Sequence, residues 1–332
     1  MSYNSAMQRL LSGIQPSGKL HLGNYFGAVK NWVDLQSSYE AFLMIADLHA
    51  LTTAYEDGTN LRGAALEMLA DLVACGVDPK QATLFVQSDL PEHSELHLIL
   101  SMITPLPWLE RVPTYKSKKE EIQGKDLDTY GFLGYPVLQS ADILLYQTDI
   151  VPVGKDQAPH LELTREIARR FNHLFKTDFL KEPAEKFTQC PILPGTDGRK
   201  MSKSYNNALY FADSEEVITQ KVKTMFTDPQ RLRKTDPGRP EICALYPLHE
   251  LLNPASKNEI ASCCKQASIG CVDCKKRLLE CLLPFLAPIR EKRAQLLSDK
   301  PHLLSLIEVG NKNAQSVAQE TLCTIKEIIK IS

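Results

Sequence analysis

The chain has 332 residues, of which 43% are hydrophobic and 23% charged, and its formal net charge is −2. The length suggests two domains, and the composition is that of a globular protein, which excludes a disordered chain or a small disulfide scaffold. The near-zero charge argues against a protein coated with basic residues for binding any nucleic acid. No apolar run approaches the ~18 residues of a membrane span, and the first residues do not resemble a signal peptide. We therefore expect a cytoplasmic protein that does not insert into a membrane.

Strand-like and helical patterns alternate in the first half of the chain. Compact apolar runs predict strands at 9–14, 41–46, 83–87 and 150–153. Apolar residues at helical spacing predict a helix that starts near Leu22 and helices at 61–74, 134–146 and 159–171. This alternation predicts an α/β fold with a Rossmann-like, doubly wound parallel sheet. After Lys200 the helical spacing dominates, over 278–286, 296–307 and 317–331, which predicts a C-terminal helical domain.

The loop after the first strand has a sequence typical of phosphate binding. Residues 13–19 match the P-loop pattern G-x4-G-K, but Leu20 stands where that pattern needs a hydroxyl for Mg²⁺. The same loop reads PSGKLHLGN and leads into a predicted helix, whose N-terminal N–H groups and dipole favour a phosphate. In this second interpretation His21 can donate to a phosphate oxygen, and Gly23 lets a nucleotide approach the backbone. A P-loop NTPase and another nucleotide-binding enzyme both remain compatible with this loop.

Residues 200–204 read KMSKS and follow a flexible lead-in at 195–198, which suits a loop that closes over a nucleotide. Lys200 and Lys203 lie three residues apart, so both can reach the β- and γ-phosphates of ATP. There they would offset the charge that grows as pyrophosphate leaves. Taken alone, the run is also compatible with a solvated basic surface, because many basic residues lie between Arg199 and Lys234.

A predicted helix between these motifs carries polar side chains on one face. Tyr135, Gln139 and Asp142 are spaced i, i+4 and i+7, so they share a face of an otherwise apolar helix. Gly154 and Gln157 follow the strand at 150–153, and residues at the carboxyl ends of strands line the cleft of an open α/β sheet. The sequence therefore predicts a substrate pocket with a buried carboxylate as a hydrogen-bond acceptor.

Taken together, these segments resemble the class I aminoacyl-tRNA synthetases. The loop PSGKLHLGN resembles their HIGH signature, and KMSKS is their second signature. Further blocks resemble the bacterial tryptophanyl branch of the family in order: SGIQPSGKLHLGNYFGAVKNW, ADLHALTT, YPVLQSADILLY, VPVGKDQAPHLELTREIARRFN and DPGRPE. The similarity covers roughly the first 240 residues and is weaker beyond them.

The resemblance implies a reaction, a domain plan and partners. It implies that Mg²⁺·ATP activates L-tryptophan to tryptophanyl-adenylate and that the acyl group then passes to tRNA(Trp). It also implies a homodimer. On this basis we expect a Rossmann catalytic domain with both signatures at 1–206 and a helical anticodon-side domain with clustered cysteines at 207–300. We expect a C-terminal helix at 301–332, and the sequence leaves open whether this helix packs back on the catalytic domain.

The resemblance also assigns roles to individual residues. The catalytic residues would be His21, Lys200 and Lys203. ATP would be bound by Gln15, Pro16, Ser17, Gly23, Asn24, Gly154, Lys155, Asp156, Ile192, Lys200, Met201, Ser202, Lys203 and Ser204. Tryptophan would be bound by Asp142, which accepts from the indole N–H, by Tyr135 and Gln157, which hold the ammonium group, and by Gln139.

Two residues depart from the usual pattern of this branch. Gln139 stands where many relatives carry Met, and Lys155 stands where Glu is usual. The motif Y-x3-Q-x2-D also resembles the pocket helix of tyrosyl-tRNA synthetases. The alternatives are therefore a tyrosyl-type synthetase, a P-loop NTPase, or a non-catalytic relative that only binds tRNA. A site that requires a ring N–H or O–H rejects analogues without it by a large factor, so no editing domain is expected.

Six of the nine cysteines lie between residues 243 and 281. Cys243, Cys264, Cys271 and Cys274 could supply four thiolates for a [4Fe–4S] cluster or for tetrahedral Zn²⁺, and Cys263 could replace Cys264. An apolar stripe on one helix explains the same spacing, since Cys behaves as a small hydrophobe. Residues 268–270 would interrupt such a helix, however. Some bacterial tryptophanyl relatives carry a [4Fe–4S] cluster on a similar pattern, which favours iron–sulfur over zinc.

Overall fold

The computed structural model describes residues 7–55, 60–112, 127–154, 157–187 and 192–331. Five parallel strands form one sheet in the order β3-β2-β1-β4-β5. The strands are β1 (Arg9–Ile14), β2 (Glu40–Ile45), β3 (Ala82–Val86), β4 (Ile150–Val153) and β5 (Ala184–Phe187). The predicted doubly wound sheet is confirmed, and the four predicted strands agree with β1 to β4 to within about one residue. The edge strand β5 was not predicted, because its residues are mostly polar and exposed.

Helices cover both faces of the sheet. In the first part of the chain they are α1 (Leu22–Asn24), α2 (Lys30–Leu35), α3 (Asp47–Ala54), α4 (Leu61–Ala74), α5 (Pro91–Ser101), α6 (Leu106–Glu110), α7 (Tyr130–Leu145) and α8 (Ala158–Phe175). A π-helical turn at Tyr25–Val29 joins α1 to α2. Pro136 lies in the interior of α7 rather than in its first turn, because the helix begins four residues before the predicted start. No described helix is long and apolar enough to cross a membrane.

The second half of the described chain is mostly helical. Its helices are α9 (Glu215–Thr224), α10 (Tyr246–Leu252), α11 (Lys257–Lys265), α12 (Cys271–Ser298) and α13 (Lys300–Ile328). The predicted helix at 296–307 is wrong, because the chain turns at Asp299, whose side chain accepts a hydrogen bond from His302 N at 3.1 Å and caps α13. The alternative in which the cysteines form one apolar stripe on a single helix is also wrong. Helix α11 ends at Lys265, Ala267 has a left-handed φ of 57°, and α12 begins only at Cys271.

Alternate residues of the central strands enter two separate cores. On β2, Leu43 and Ile45 pack into a core with α4 and α12, whereas Phe42 and Met44 pack into a second core with α5, α7 and α8. This is the period-two alternation of a strand that is buried on both faces. The helical second half thus contributes directly to the core on one face of the sheet.

The C-terminal helix α13 covers the β3 edge of the sheet. A Cβ on Gly310 would lie 1.7 Å from the carbonyl oxygen of Leu84, so only glycine permits this approach. The Asn311 side chain accepts a hydrogen bond from the backbone N–H of Val86 at 3.0 Å, which satisfies a donor at the strand edge. The C-terminal helix therefore packs back on the sheet domain, which answers the question that the sequence left open.

Candidate active site

A cavity of about 340 Å³ opens at the carboxyl ends of β1 and β4. The order of the sheet reverses between these two strands, and this switch point is where open α/β sheets bind ligands. All four residues expected to bind the amino acid line this cavity, namely Tyr135, Gln139, Asp142 and Gln157. Trp32, His49 and His160 also line it, and none of these three was assigned a role from the sequence.

Asp142 is the buried acid of this cavity, and its carboxylate has several hydrogen-bond partners. Gln87 Nε2 donates to both oxygens at 2.8 and 3.0 Å, His93 Nδ1 lies 2.7 Å from one oxygen, and His49 Nε2 lies 2.8 Å from the other. Burial alone would raise the pKa of Asp142, but the hydrogen bonds from His49 and His93 outweigh it and hold the pKa well below its usual range. The side chain is therefore a buried, ionised acceptor.

The cavity is also lined by an aromatic hydroxyl. Tyr135 is 7% exposed, and its hydroxyl lies 3.4 Å from Nε2 of His160. His160 comes from the first turn of α8, directly after the loop that carries Gln157. The contact between Tyr135 and His160 therefore links α7 to α8 beside the cavity.

A larger cleft of about 1240 Å³ adjoins the first cavity and shares Gln15 and Gly154 with it. Besides these two, the residues expected to bind ATP that line the cleft are Ser17, Gly23, Asn24, Ile192 and 200–204. Pro16 is buried and is not among the residues that line either cavity. Lys155 and Asp156 lie outside the described residues, so their predicted roles stay predictions.

The position of Leu20 excludes the P-loop alternative. Leu20 is fully buried in the core, and its N–H donates to a carboxylate oxygen of Asp71 at 3.0 Å. A Mg²⁺-binding hydroxyl would need to face the nucleotide, whereas this position faces away from the cleft. Arg293 on α12 binds the other oxygen of Asp71, so the loop before α1 is attached to the helical half of the protein.

His21 caps the helix that follows the first signature. Its Nδ1 accepts a hydrogen bond from Asn24 N at 3.2 Å, and its own N–H donates to Asn24 Oδ1 at 3.3 Å. Burial lowers the pKa of His21 to about 4, so the ring is neutral at physiological pH. With Nδ1 as an acceptor, the proton lies on Nε2, which donates to no described residue and can therefore donate to a phosphate oxygen. A Cβ on Gly23 would lie 3.0 Å from the His21 ring, so packing against this ring also favours glycine there.

The KMSKS loop closes onto the first signature. The side chain of Met201 is buried in the hydrophobic core, and this packing anchors the loop. Lys203 Nζ donates to the backbone carbonyl of Ser17 across the cleft. Both lysines thus border the space where phosphates would lie, next to the N–H groups of the loop before α1.

Asn207 organises this loop, and the sequence reasoning did not identify it. Its Oδ1 accepts from Ser202 N at 2.8 Å, and its Nδ2 donates to Asp197 Oδ1 at 2.7 Å and to the carbonyl of Lys200 at 3.1 Å. A Cβ on Gly195 would lie 2.2 Å from the Asn207 side chain, so glycine is required there. The predicted domain limit at 206 therefore falls inside the loop that Asn207 holds.

The missed residues around Asp142 lie where a strand-end signal could have found them. His49 belongs to the block ADLHALTT after β2, and Gln87 and His93 follow β3 in the run QSDLPEH. The carboxyl ends of β2 and β3 meet at the same edge of the sheet as those of β1 and β4. A search for polar residues after every strand, rather than after β1 and β4 alone, would have identified these three residues as candidates for the site.

The four predicted cysteine ligands lie close together in the helical half. Cys243 follows a turn at Pro240–Ile242, Cys264 is near the end of α11, and Cys271 and Cys274 are in the first turn of α12. Burial, and after it the nearby Cys243, Cys264 and Cys271, raise the pKa of Cys274 to about 12. Within the described residues, no group of three or more His, Cys, Asp or Glu side chains is arranged to hold a single metal ion.

One arginine contacts two of these cysteines. Arg231 Nη1 lies 3.7 Å from Cys264 Sγ and 3.9 Å from Cys271 Sγ. Its Nη2 donates to the carbonyl of Ile269 at 2.6 Å, which ties it to the break between α11 and α12. A Cβ on Gly238 would lie 2.5 Å from Cys264 Sγ, so this sulfur occupies space that only glycine leaves open.

Comparison with known proteins agrees with this geometry. A family model described as tRNA synthetases class I (W and Y) matches residues 4–287. The tryptophan–tRNA ligase of Thermotoga maritima is 47% identical, over 97% of this chain and 99% of its own, and that of Aquifex aeolicus is 41% identical, over 97% and 100%. The tryptophanyl-tRNA synthetase from Campylobacter jejuni, in a crystal structure with ADP and tryptophan, has a TM-score of 0.87 at 36% identity and covers 97% of this chain and 100% of that one. The chain therefore belongs to the class I tRNA synthetases for tryptophan and tyrosine, in their bacterial tryptophanyl branch.

Proposed function

We propose that this chain is a tryptophan–tRNA ligase that activates L-tryptophan with ATP and transfers it to tRNA(Trp) in the cytoplasm. The observation that carries the proposal is the buried Asp142 carboxylate, held by hydrogen-bond donors, in a cavity that adjoins the cleft lined by both signatures. A buried carboxylate selects a ligand with a ring N–H, because a ligand without one displaces a hydrogen-bond donor from the carboxylate and supplies none in return. The ring of tryptophan would lie against Asp142, and its carboxylate would face the ATP cleft.

The first step joins the tryptophan carboxylate to the α-phosphate of ATP and releases pyrophosphate. This step requires no side-chain nucleophile, so catalysis rests on positioning and on charge stabilisation. His21 offers a neutral Nε2–H to a phosphate oxygen, and Lys200 and Lys203 stabilise the charge that develops on the leaving pyrophosphate. Mg²⁺, when bound with ATP, offsets the charge of the phosphates. In the second step the 3′-terminal ribose of tRNA(Trp) takes the acyl group.

The remaining assignments follow the resemblance and are part of the proposal. Tyr135 and Gln157 hold the ammonium group of tryptophan, and Gln139 contacts the substrate from the same helix face as Asp142. Gln15, Pro16, Ser17, Gly23, Asn24, Gly154, Lys155, Asp156, Ile192 and residues 200–204 bind ATP. Of these, Pro16 acts from within the loop, since its side chain is buried. The domain limits 1–206, 207–300 and 301–332 are retained as a functional division.

We further propose a homodimer. Helices α5, α6 and the start of α7 present Leu98, Met102, Leu106 and Tyr130, whose side chains are each more than half exposed. A contiguous exposed apolar patch is typical of an interface, and we propose that these four side chains belong to one. Analytical ultracentrifugation should give twice the monomer mass, and Met102→Glu should shift the protein to monomers.

We also propose that the four cysteines bind a structural [4Fe–4S] cluster that orders the helical half for anticodon contact. Around one Zn²⁺ ion the sulfurs would be about 3.8 Å apart, given Zn–S bonds of about 2.3 Å. Cluster thiolates bind four different irons, so they are spaced more widely, and the absence of a single-ion site in the described residues is compatible with a cluster. Cys264 rather than Cys263 is the ligand, because Cys264 is the one that shares Arg231 with Cys271.

Metal analysis after anaerobic purification tests the cluster. Iron and sulfide should be present in equal amounts, and zinc should be absent. Cys271→Ser should lose the iron, and Cys281→Ser, on the same helix, should retain it. Colourless protein without metal, with all four thiols open to alkylation, would exclude both the cluster and zinc.

ATP–pyrophosphate exchange with each of the twenty amino acids tests the main proposal. Exchange should depend on tryptophan and should be at least 100-fold slower with tyrosine or phenylalanine. Exchange with tyrosine instead would favour the tyrosyl alternative. A protein that binds tRNA without any exchange would be the non-catalytic relative.

A further inference from the structure

The Asp142 carboxylate is held mainly from the side of the protein core. Gln87 and His93 are both fully buried, and neither lines the cavity. Gln87 donates to both oxygens, and His93 contacts Oδ1 at 2.7 Å. His49, which contacts Oδ2 at 2.8 Å, is the donor that also lines the cavity. An ionised carboxylate has about four acceptor sites, and these contacts occupy all of them.

A third buried group extends this arrangement beyond His93. The Tyr146 hydroxyl lies 2.9 Å from Nε2 of His93, and the tyrosine is fully buried. Burial raises the pKa of Tyr146 well above its usual range, so the hydroxyl keeps its proton. Because an ionised carboxylate only accepts, Nδ1 of His93 carries the hydrogen of its bond to Asp142. Tyr146, His93 and Asp142 therefore form one continuous chain of hydrogen-bonded groups.

Packing leaves this chain of groups little freedom. The His93 ring stacks on Phe85 with centroids 5.8 Å apart, and the Tyr146 ring lies 4.7 Å from that of Phe42. Tyr146 directly follows the last residue of α7 and lies four residues after Asp142, so α7 and its end carry both ends of this chain of groups. Buried polar groups are costly unless fully satisfied, and an apolar side chain would fill the Tyr146 site at lower cost. The arrangement therefore requires a functional reason.

We propose that Gln87, His93 and Tyr146 are positioning residues that hold Asp142 as a fixed, ionised acceptor and thereby set the specificity for a substrate with a ring N–H. Since every acceptor site is occupied, the ring N–H of the substrate takes the place of the His49 contact, on the cavity side, while the core-side donors stay in place. A ligand without an N–H would break the His49 contact and replace it with nothing. This inference rests on the proposed function, because it assumes that the substrate ring binds at Asp142.

The test compares two ligands that differ at one ring atom. Benzothienylalanine has the shape of tryptophan, but sulfur replaces the indole N–H. Isothermal titration calorimetry measures the affinity of both ligands for the wild type and for Tyr146→Phe, which removes a single hydroxyl. We expect Tyr146→Phe to weaken tryptophan binding roughly 3- to 10-fold and to leave benzothienylalanine binding unchanged. Thr148→Val is the matched control, because its hydroxyl is also buried and hydrogen-bonded at the end of α7 but does not contact Asp142.

A second pair of variants keeps the inference testable if Tyr146→Phe is unstable. His93→Leu removes the donor to Asp142 and should weaken tryptophan roughly 10- to 100-fold. His93→Asn places an amide nitrogen near the Nδ1 position and should restore most of the selectivity. Equal weakening of both ligands in either series, or no change in their ratio, would overturn the inference. Wild-type protein that does not bind tryptophan at all would instead contradict the proposed function, so the two failures are distinguishable.

Discussion

Arg293→Met tests whether the helical half of the protein holds the loop before α1 in place. Asp71 on α4 is 1% exposed, and it accepts the Leu20 N–H with one oxygen and binds Arg293 with the other. Arg293 also donates to Glu67 at 3.0 Å. The substitution keeps an unbranched apolar stem but removes the charge, so it leaves Asp71 as a buried carboxylate beside a second acid.

The magnitude follows from the burial of this pair. Removing one partner of a buried ion pair costs about 3–5 kcal/mol, because the other charge stays buried without compensation. The Arg293 side chain is 12% exposed, so we expect the lower end of this range, about 3 kcal/mol. Burial raises the pKa of Asp71, and Arg293 lowers it. Without the arginine the pKa rises further, so protonation relieves the strain, and the deficit should be smaller at pH 5 than at pH 8.

Urea unfolding measures the loss, and the Michaelis constant for ATP measures the effect on the loop. The double variant Asp71→Asn with Arg293→Met should be more stable than Arg293→Met alone at neutral pH, because no charge remains buried. Arg290→Met, on the same helix but bonded to a backbone carbonyl, is the control and should cost about 1 kcal/mol or less. A loss below about 1 kcal/mol for Arg293→Met, or a double variant no more stable than the single one, would refute the reasoning.

Four further results are expected. Asp142→Ala should abolish tryptophan-dependent exchange and leave ATP binding within about 3-fold of wild type; exchange near the wild-type rate would show that the pocket is assigned wrongly. Lys203→Ala should slow single-turnover adenylation at least 100-fold and change tryptophan affinity little, since its contact is made mainly in the transition state; an unchanged rate would make the loop a basic surface. Because the pKa of His21 falls from 6.5 to about 4, its unfolded form binds more protons between these values. The contribution of His21 to the free energy of unfolding should therefore fall as the pH drops through this window. Because the ring stays neutral above it, the pH profile of exchange between pH 6 and 8 should contain no step caused by His21; a step in the wild type that is missing in His21→Asn would contradict this. Gly310→Ala should lower the melting temperature by at least 5 °C, because its Cβ would overlap the carbonyl oxygen of Leu84; an unchanged melting curve would show that α13 can move away from the sheet at no cost.

Local patterns were sufficient for the sheet and for the two signatures. The strands β1 to β4 are short apolar runs. A strand that is buried on both faces must be apolar at nearly every position, so such a run predicts it directly. The loop before α1 and the KMSKS run are contiguous, so their chemistry could be recognised without knowing where they lie. The spacing of Tyr135, Gln139 and Asp142 follows from the helical period alone, and the cavity that contains all three agrees with it.

Only the tertiary structure decided which distant groups meet. Strand-end polar residues could have marked Gln87 and His93 as candidates, but no local pattern shows that both contact Asp142 or that Tyr146 contacts His93. These residues come from the end of β3, from α5 and from the end of α7, which the order of the strands brings together. The same holds for Asp71 and Arg293, which are separated by 222 residues. Whether a buried charge is balanced depends on which residues meet in space. The hydrophobic period of a helix shows which of its faces is buried, but not which charged residue of another helix lies opposite. The sequence therefore determined the elements and the chemistry of the contiguous motifs, whereas burial and long-range pairing determined the charge state of Asp142, the acid for which we propose a role in substrate selection.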